Sequence, residues 1–239
     1  MSNQLCLFFE NATGRDIMNL KIIFEDEHIV VCYKPAGIAT QTAKLGEPDM
    51  VSLLKNYLKG GYVGLIHRLD QPVEGLLVFA KTPFAAKELS KGLQGAGFGK
   101  YYQAVLWGVP KNEKGTLEDY LVKDGRINTS RIAEAKEKDA KKAVLYYEVL
   151  QTGKDGEKDI SLVRIRLETG RHHQIRVQMA HMGCPIWGDS KYNTQLIQDR
   201  RWRQIALCAY KLEFVHPKTK EKMMFEIQPE GEGFTQLKS

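Results

Sequence analysis

Apolar and polar positions along the chain follow two periods, and the change from one to the other marks out the elements. Residues 21–34 (KIIFEDEHIVVCYK) set two β-branched runs on either side of the acidic cluster Glu25 to Glu27, the pattern of an antiparallel hairpin. Pro35 and Gly37 end it, since proline offers no ladder N–H and glycine admits turn dihedrals. Residues 51–58 (VSLLKNYL) predict a short helix, and residues 75–80 (GLLVFA) form a near-continuous apolar run suited to a buried strand. His67, Arg68, Leu69 and Asp70 fall between them, in a predicted turn. Thr82 followed by Pro83 supplies the N-cap and first-turn residue of a helix running to about Leu93, closed by the glycines of residues 95–99.

Residues 100–107 (KYYQAVLW), 144–150 and 160–167 read as strands by their aromatic and β-branched content. Between them, residues 111–142 intersperse lysines with glutamates and aspartates, which predicts a solvated excursion from the sheet rather than a basic arm or a domain boundary. Gly170 precedes a predicted helix of about three turns, with Ile175, Met179 and Met182 on one face, Arg171, Gln174 and Gln178 off it, and Gly183 as its stop. Residues 205–215 and 222–227 predict two final strands joined by the turn His216 to Thr219. Hairpin-like succession without regular strand-helix-strand alternation predicts an α+β fold with a mostly antiparallel sheet. One domain is expected over residues 21–239, behind an N-terminal extension over residues 1–20.

Composition narrows the class. The 239 residues are 43% hydrophobic and 27% charged, enough apolar content for a core. No run nears the roughly eighteen apolar residues that span a bilayer, and the start MSNQLCLFFENATGRD lacks the basic region and cleavage site of a signal peptide. A cytoplasmic monomer without membrane contact is therefore expected. Cys6, Cys32, Cys184 and Cys208 stand far apart with no Cys-x-x-Cys pair, the pattern of reduced thiols rather than a zinc knuckle or disulfide framework. The formal charge of +6 and pI of about 9.0 suit a polyanionic partner.

Two clusters offer chemistry. Asp70 stands beside Pro72 and Gly75 where the chain must turn before an apolar strand, which presents its carboxylate; taken alone, a loop aspartate more often makes an Asx-turn or a helix cap than a catalyst. His67 and Arg68 next to it provide donors for phosphate or carboxylate. The second cluster, residues 169–176 (TGRHHQIR), leads a glycine turn into a helix start crowded with donors, where backbone amides, Arg171 and Gln174 can hold phosphate oxygens. His172, His173 and His181 have no acidic or thiolate companion at zinc-like spacing, so no metal site is expected. The glycines of residues 95–99 lack the following Lys-Ser/Thr of a P-loop, and no Gly-x-Ser-x-Gly elbow is present.

Five segments, in order, resemble the RluA family of RNA pseudouridine synthases. They are residues 33–41 (YKPAGIATQ), 67–82 (HRLDQPVEGLLVFAKT), 100–108 (KYYQAVLWG), 167–193 (LETGRHHQIRVQMAHMGCPIWGDSKYN) and 207–219 (LCAYKLEFVHPKT). The resemblance, which extends from about Lys21 to Ile227, implies an α+β catalytic domain with a mixed, largely antiparallel curved sheet and a central cleft. It implies Asp70 as catalytic carboxylate, Arg176 as its charge partner and Tyr102, rather than Tyr101, as the ring stacked on the target base. Arg68 is the implied wedge that fills the place of a flipped uridine, with His67, Arg171, His173 and Gln174 as further RNA contacts.

The implied partner is structured ribosomal or transfer RNA, and the implied reaction needs no cofactor: the N-glycosidic bond breaks, the base turns, and carbon 5 takes the place of nitrogen. Where the family commonly has Thr-Ser after the aspartate this chain has Val73-Glu74, and Gln178 stands where a histidine is frequent. These departures are expected to affect RNA contacts and specificity rather than chemistry. The first motif starts too early for the S4 RNA-binding domain that many relatives carry, so target capture is expected to rest on the catalytic domain. A non-catalytic RNA-binding protein is the rival, disfavoured because Asp70, Tyr102 and Arg176 are all present. A metal-dependent nuclease lacks its carboxylate cluster.

Overall fold

The structure is a computed structural model that describes residues 6–7, 20–42, 46–95, 97–196 and 204–237. Of the expected extension over residues 1–20, only Cys6, Leu7 and Leu20 lie among the described residues. The strands are β1 (Cys6–Leu7), β2 (Leu20–Glu25), β3 (Ile29–Lys34), β4 (Gly64–Leu65), β5 (Glu74–Ala80) and β6 (Phe98–Trp107). They continue with β7 (Lys114–Asp124), β8 (Thr129–Ala133), β9 (Lys141–Asp155), β10 (Lys158–Leu167), β11 (Leu207–Val215) and β12 (Lys222–Glu226). The helices are α1 (Met50–Tyr57), α2 (Pro83–Gln94), α3 (Gln174–His181) and α4 (Glu232–Thr235). No helix among the described residues is long and apolar enough to cross a membrane.

Two compact units divide the chain: Met1–Gly99 with Lys211–Ile227, and Lys100–Tyr210 with Gln228–Ser239. In the first, β2, β3 and β5 pair antiparallel, with Ile29 opposite Ala80 and Lys34 opposite Gly75. The β2–β3 turn closes because the Asp26 carboxylate accepts from the N–H groups of His28 and Ile29 at 2.7 and 2.8 Å. Every residue of β3 and β5 is buried, as expected for strands covered on both faces. On one face lie Ala85 and Leu89 of α2, packed into a core with Ile29, Val31, Leu76 and Val78. Helix α1 starts at a reciprocal capping box between Asp49 and Ser52, and α2 starts where the Thr82 hydroxyl accepts from the Ala85 N–H at 3.1 Å.

The second unit carries antiparallel strands in the spatial order β6-β10-β9-β7-β8. Residues 111–142, expected as a solvated excursion, instead hold β7, β8 and the start of β9. Charged side chains stand all along these strands and conceal their period of two in the sequence. Their partners lie across the strands: Lys114 is opposite Glu148 and pairs with it at 2.9 Å, and Lys142 reaches Glu118 diagonally at 2.7 Å. Helix α3 is shorter than expected, two turns rather than three, and has no polar face: all residues from Gln174 to Met179 are buried. Its polar side chains are tolerated inside because Gln174, Arg176 and Gln178 all donate to acceptors there, although the Gln178 side-chain oxygen is buried with no hydrogen-bond partner among the described residues.

Candidate active site

In the first unit the 33–41 and 67–82 segments interlock. Residues on both sides of Asp70 are pinned by backbone contacts. The Thr40 hydroxyl donates to the Leu69 carbonyl at 2.9 Å and accepts from the Leu69 N–H at 3.1 Å. The Gly37 N–H donates to the Gln71 carbonyl at 2.9 Å, and the Gln71 amide returns a bond to the Gly37 carbonyl at 2.9 Å. A turn closes between them, from the Val73 N–H to the Asp70 carbonyl at 3.0 Å. Asp70 itself is half-buried. The sequence places it on a turn, and the structure adds that the turn is clamped from its neighbour motif.

Lys34 is the residue that sequence reasoning passed over. It is fully buried, and its ammonium donates to the carbonyls of Pro35, Ile38 and Gln71 at 2.9, 2.7 and 3.1 Å. Three N–H donors thus meet three acceptors, one of them on the Asp70 turn. Burial pulls the Lys34 pKa down to about 7, against the charges of Asp70 and Glu74, which hold it up. A lysine closing an otherwise apolar strand just before a proline was the available signal.

Val73 and Glu74, expected to bear on RNA contact, are both buried. Glu74 accepts from the Tyr33 hydroxyl at 2.6 Å and serves as an internal counter-charge for Lys34. Arg68 is exposed and donates to the Gln41 side chain at 2.6 Å. His67 is half-buried, its Nε2 accepts from the Val78 N–H at 3.3 Å, and its ring meets Phe98 edge-on at 5.3 Å.

The second unit places the others. Tyr102 is buried on β6, opposite Ile165. Arg176, buried on α3, donates through Nε and Nη2 to the two carboxylate oxygens of Asp189 at 2.7 and 2.8 Å. Asp189 also closes a turn by accepting from the Lys191 N–H at 3.0 Å, and it fixes the plane of this guanidinium. Gln174 is enclosed: its carbonyl accepts from the Arg171 N–H and the Thr169 hydroxyl, and its amide donates to the Val144 carbonyl. Gln178 is buried too, its amide donating to Asp119 at 2.7 Å, so this departure from the family pattern lies inside the unit.

His173 caps α3 in a left-handed conformation (φ 53°), is buried, and bonds the Tyr192 hydroxyl through Nδ1 at 2.6 Å. Burial first, then the nearby charges of Arg176, Lys191 and Lys123, press its pKa down to about 2. The unfolded chain takes up a proton near pH 6.5 that the folded imidazole refuses. Stability is therefore whole above pH 6.5 and declines as pH falls towards 2. Urea unfolding at pH 7 and pH 5 should show the wild type losing about 2 kcal/mol more than His173→Asn, which keeps a residue tolerant of left-handed backbone. Equal losses would remove His173 as the source.

Residues 28–181 match the family model described as RNA pseudouridylate synthase. A Helicobacter pylori protein named as an RNA pseudouridine synthase is 33% identical over 88% of the chain, which spans 66% of that relative's length. The ribosomal large subunit pseudouridine synthase D of Pseudomonas aeruginosa is 35% identical over 93% of the chain and 72% of its own length. Among solved structures, human RNA pseudouridylate synthase domain containing 1 shares the fold, with a TM-score of 0.74, 23% identity, and coverage of 88% of this chain and 84% of its own.

Proposed function

The chain belongs to the RNA pseudouridylate synthase family, in its RluA branch, and from that premise we propose that it isomerises a uridine of ribosomal or transfer RNA to pseudouridine, with Asp70 as the acting carboxylate. The observation that carries this reading is the clamping of Leu69 and Gln71, which fixes the backbone on either side of one presented carboxylate. Orientation of this kind is what a reaction without an energy source requires. The bond from C1′ to N1 breaks, a bond from C1′ to C5 forms, and the proton lost from C5 is balanced by one gained at N1. No cofactor enters that balance.

Asp70 acts as nucleophile or as base at the ribose, Arg176 is its charge partner, and Tyr102 stacks on the target base, the roles that the family motifs assign to these positions. Arg68 and Arg171, both exposed, are the donors available to RNA as wedge and backbone contact. His67, His173 and Gln174 support RNA contact by shaping the segments that carry those arginines. Release of tritium from RNA labelled at uridine carbon 5 tests the activity, and pseudouridine maps of a deletion strain against its parent identify the target. A wild-type protein inactive on every cellular RNA would overturn the reading.

Glu74 gives a pH test of the clamp. Glu74→Gln keeps an acceptor for Tyr33 and removes one of the two charges that favour the Lys34 ammonium. Its proton then leaves at lower pH, and a neutral amine has one donor too few for its three carbonyls. The alkaline limb of the activity profile, set near pH 7 in the wild type, should move to lower pH in the variant, so that turnover falls further between pH 6.5 and pH 8 than it does in the wild type. An unmoved limb would exclude Lys34 from the control of Asp70.

A further inference from the structure

Strands β7 to β10 of the second unit, with the connection between β8 and β9, are laced with ion pairs. Lys114 and Arg164 share Glu148, Lys142 meets Glu118, Arg131 meets Glu137, Lys136 meets Glu134 and Lys154 meets Asp159. Lys123 and Lys141 are exceptions on the same strands, with no ion pair among the described residues. Both line one cavity of about 400 Å³, together with Arg171, His172, Ser130 and Gly170.

Strand register explains why they meet. Lys123 on β7 lies opposite Ser130 on β8, and Leu121, two residues before Lys123 and on the same face, lies opposite Lys141 on β9. The far wall is fixed by hydrogen bonds. Arg171 donates through Nε to the Lys142 carbonyl at 2.9 Å, and His172 is held between Ser130 at 2.8 Å and Asn128 at 3.1 Å. Arg171 is thereby anchored by one nitrogen, with its terminal amines paired to no carboxylate among the described residues. Lys100 lies behind, its Nζ 3.0 Å from where a side chain on Gly170 would begin, and burial and the Arg171 charge both lower its pKa. One carboxylate, Asp139, also lines the cavity, and no ion pair among the described residues joins it to these cations.

We propose that this cavity binds a backbone phosphate of the RNA substrate, a contact separate from the recognition of the target uridine. It rests on the RNA reading above and deepens it. Three cations without internal counter-charges converge on a volume suited to one phosphodiester and part of its sugar. A phosphate would supply the negative charge that the neighbouring strands otherwise supply to their own lysines.

The test is the full chain carrying Lys123→Ala and Lys141→Ala together, with a thermal melt to confirm folding and a Lys136→Ala control on a paired lysine. RNA affinity at moderate salt should fall about ten-fold or more in the double variant, and the slope of log K against log salt should shrink by about 1 to 2. The loss should fall on KM rather than kcat, as expected for binding shared by ground and transition states. The control should move neither quantity. Unaltered affinity and slope in the double variant would overturn the proposal. So would inorganic phosphate binding that depends on these lysines while RNA affinity does not, which would make the cavity a site for free phosphate. If the wild type binds RNA through these lysines but forms no pseudouridine, the cavity stands and the enzymatic reading fails.

Discussion

Asp70→Asn is expected to reduce pseudouridine formation by about 10⁴ or more while the protein stays folded and still binds RNA. The amide has nearly the shape of the carboxylate but can serve neither as nucleophile nor as base at the ribose. Folding should survive, because the turn is held by main-chain contacts that the substitution leaves alone: Thr40 on Leu69, Gly37 on Gln71 and Lys34 on the Gln71 carbonyl. One cost remains. Asp70 is one of the two charges that favour the buried Lys34 ammonium, so a shift of a few degrees in melting temperature is expected. RNA affinity should hold, since the change only removes a negative charge, which would repel phosphates. Tritium release, a thermal melt and RNA binding under one buffer separate these effects. Retained activity would remove Asp70 from its role, whereas lost activity with lost folding would call for Asp70→Ser, whose shorter side chain leaves the same backbone clamps in place.

The elements legible in the sequence were those whose local signals agree with their tertiary setting. The 21–34 hairpin, the Thr82-Pro83 helix start and the apolar run of β5 all came out within a residue or two, since their caps and apolar patterns are strong. Strands β7 and β8 did not, because ion pairs rather than apolar alternation face their neighbours, and charge is what an excursion also looks like. Asp70 was legible as a turn residue, and the five motifs gave it a role. What one chain position cannot display is a partner far away in sequence. Lys34 looks like a strand-end lysine until its three carbonyl acceptors are seen, and Glu74 looks like a surface substitution until Tyr33 is found bonded to it. The same holds for Gln174 and Gln178, polar in sequence and buried in fact.

Asp189 carries the largest expected effect on stability. Asp189→Ala removes the carboxylate that takes two N–H groups of Arg176 inside the second unit, where both side chains are buried. Removing one member of a buried pair leaves the other charge in a poor solvent without that compensation, a loss of about 3 to 5 kcal/mol. For a chain of this length that is a fall of about 10 °C in melting temperature. The same carboxylate closes the turn to Lys191, so Asp189→Asn is the sharper variant: it can still accept there, while its amide nitrogen must face a guanidinium donor. If Arg176 sets the charge of Asp70, Asp189→Asn, assayed well below its melting temperature, should lose kcat with little change in KM, since a misaligned guanidinium acts on the chemical step rather than on RNA capture. A variant that melts early yet turns over normally when folded would make the Asp189–Arg176 pair a structural element alone.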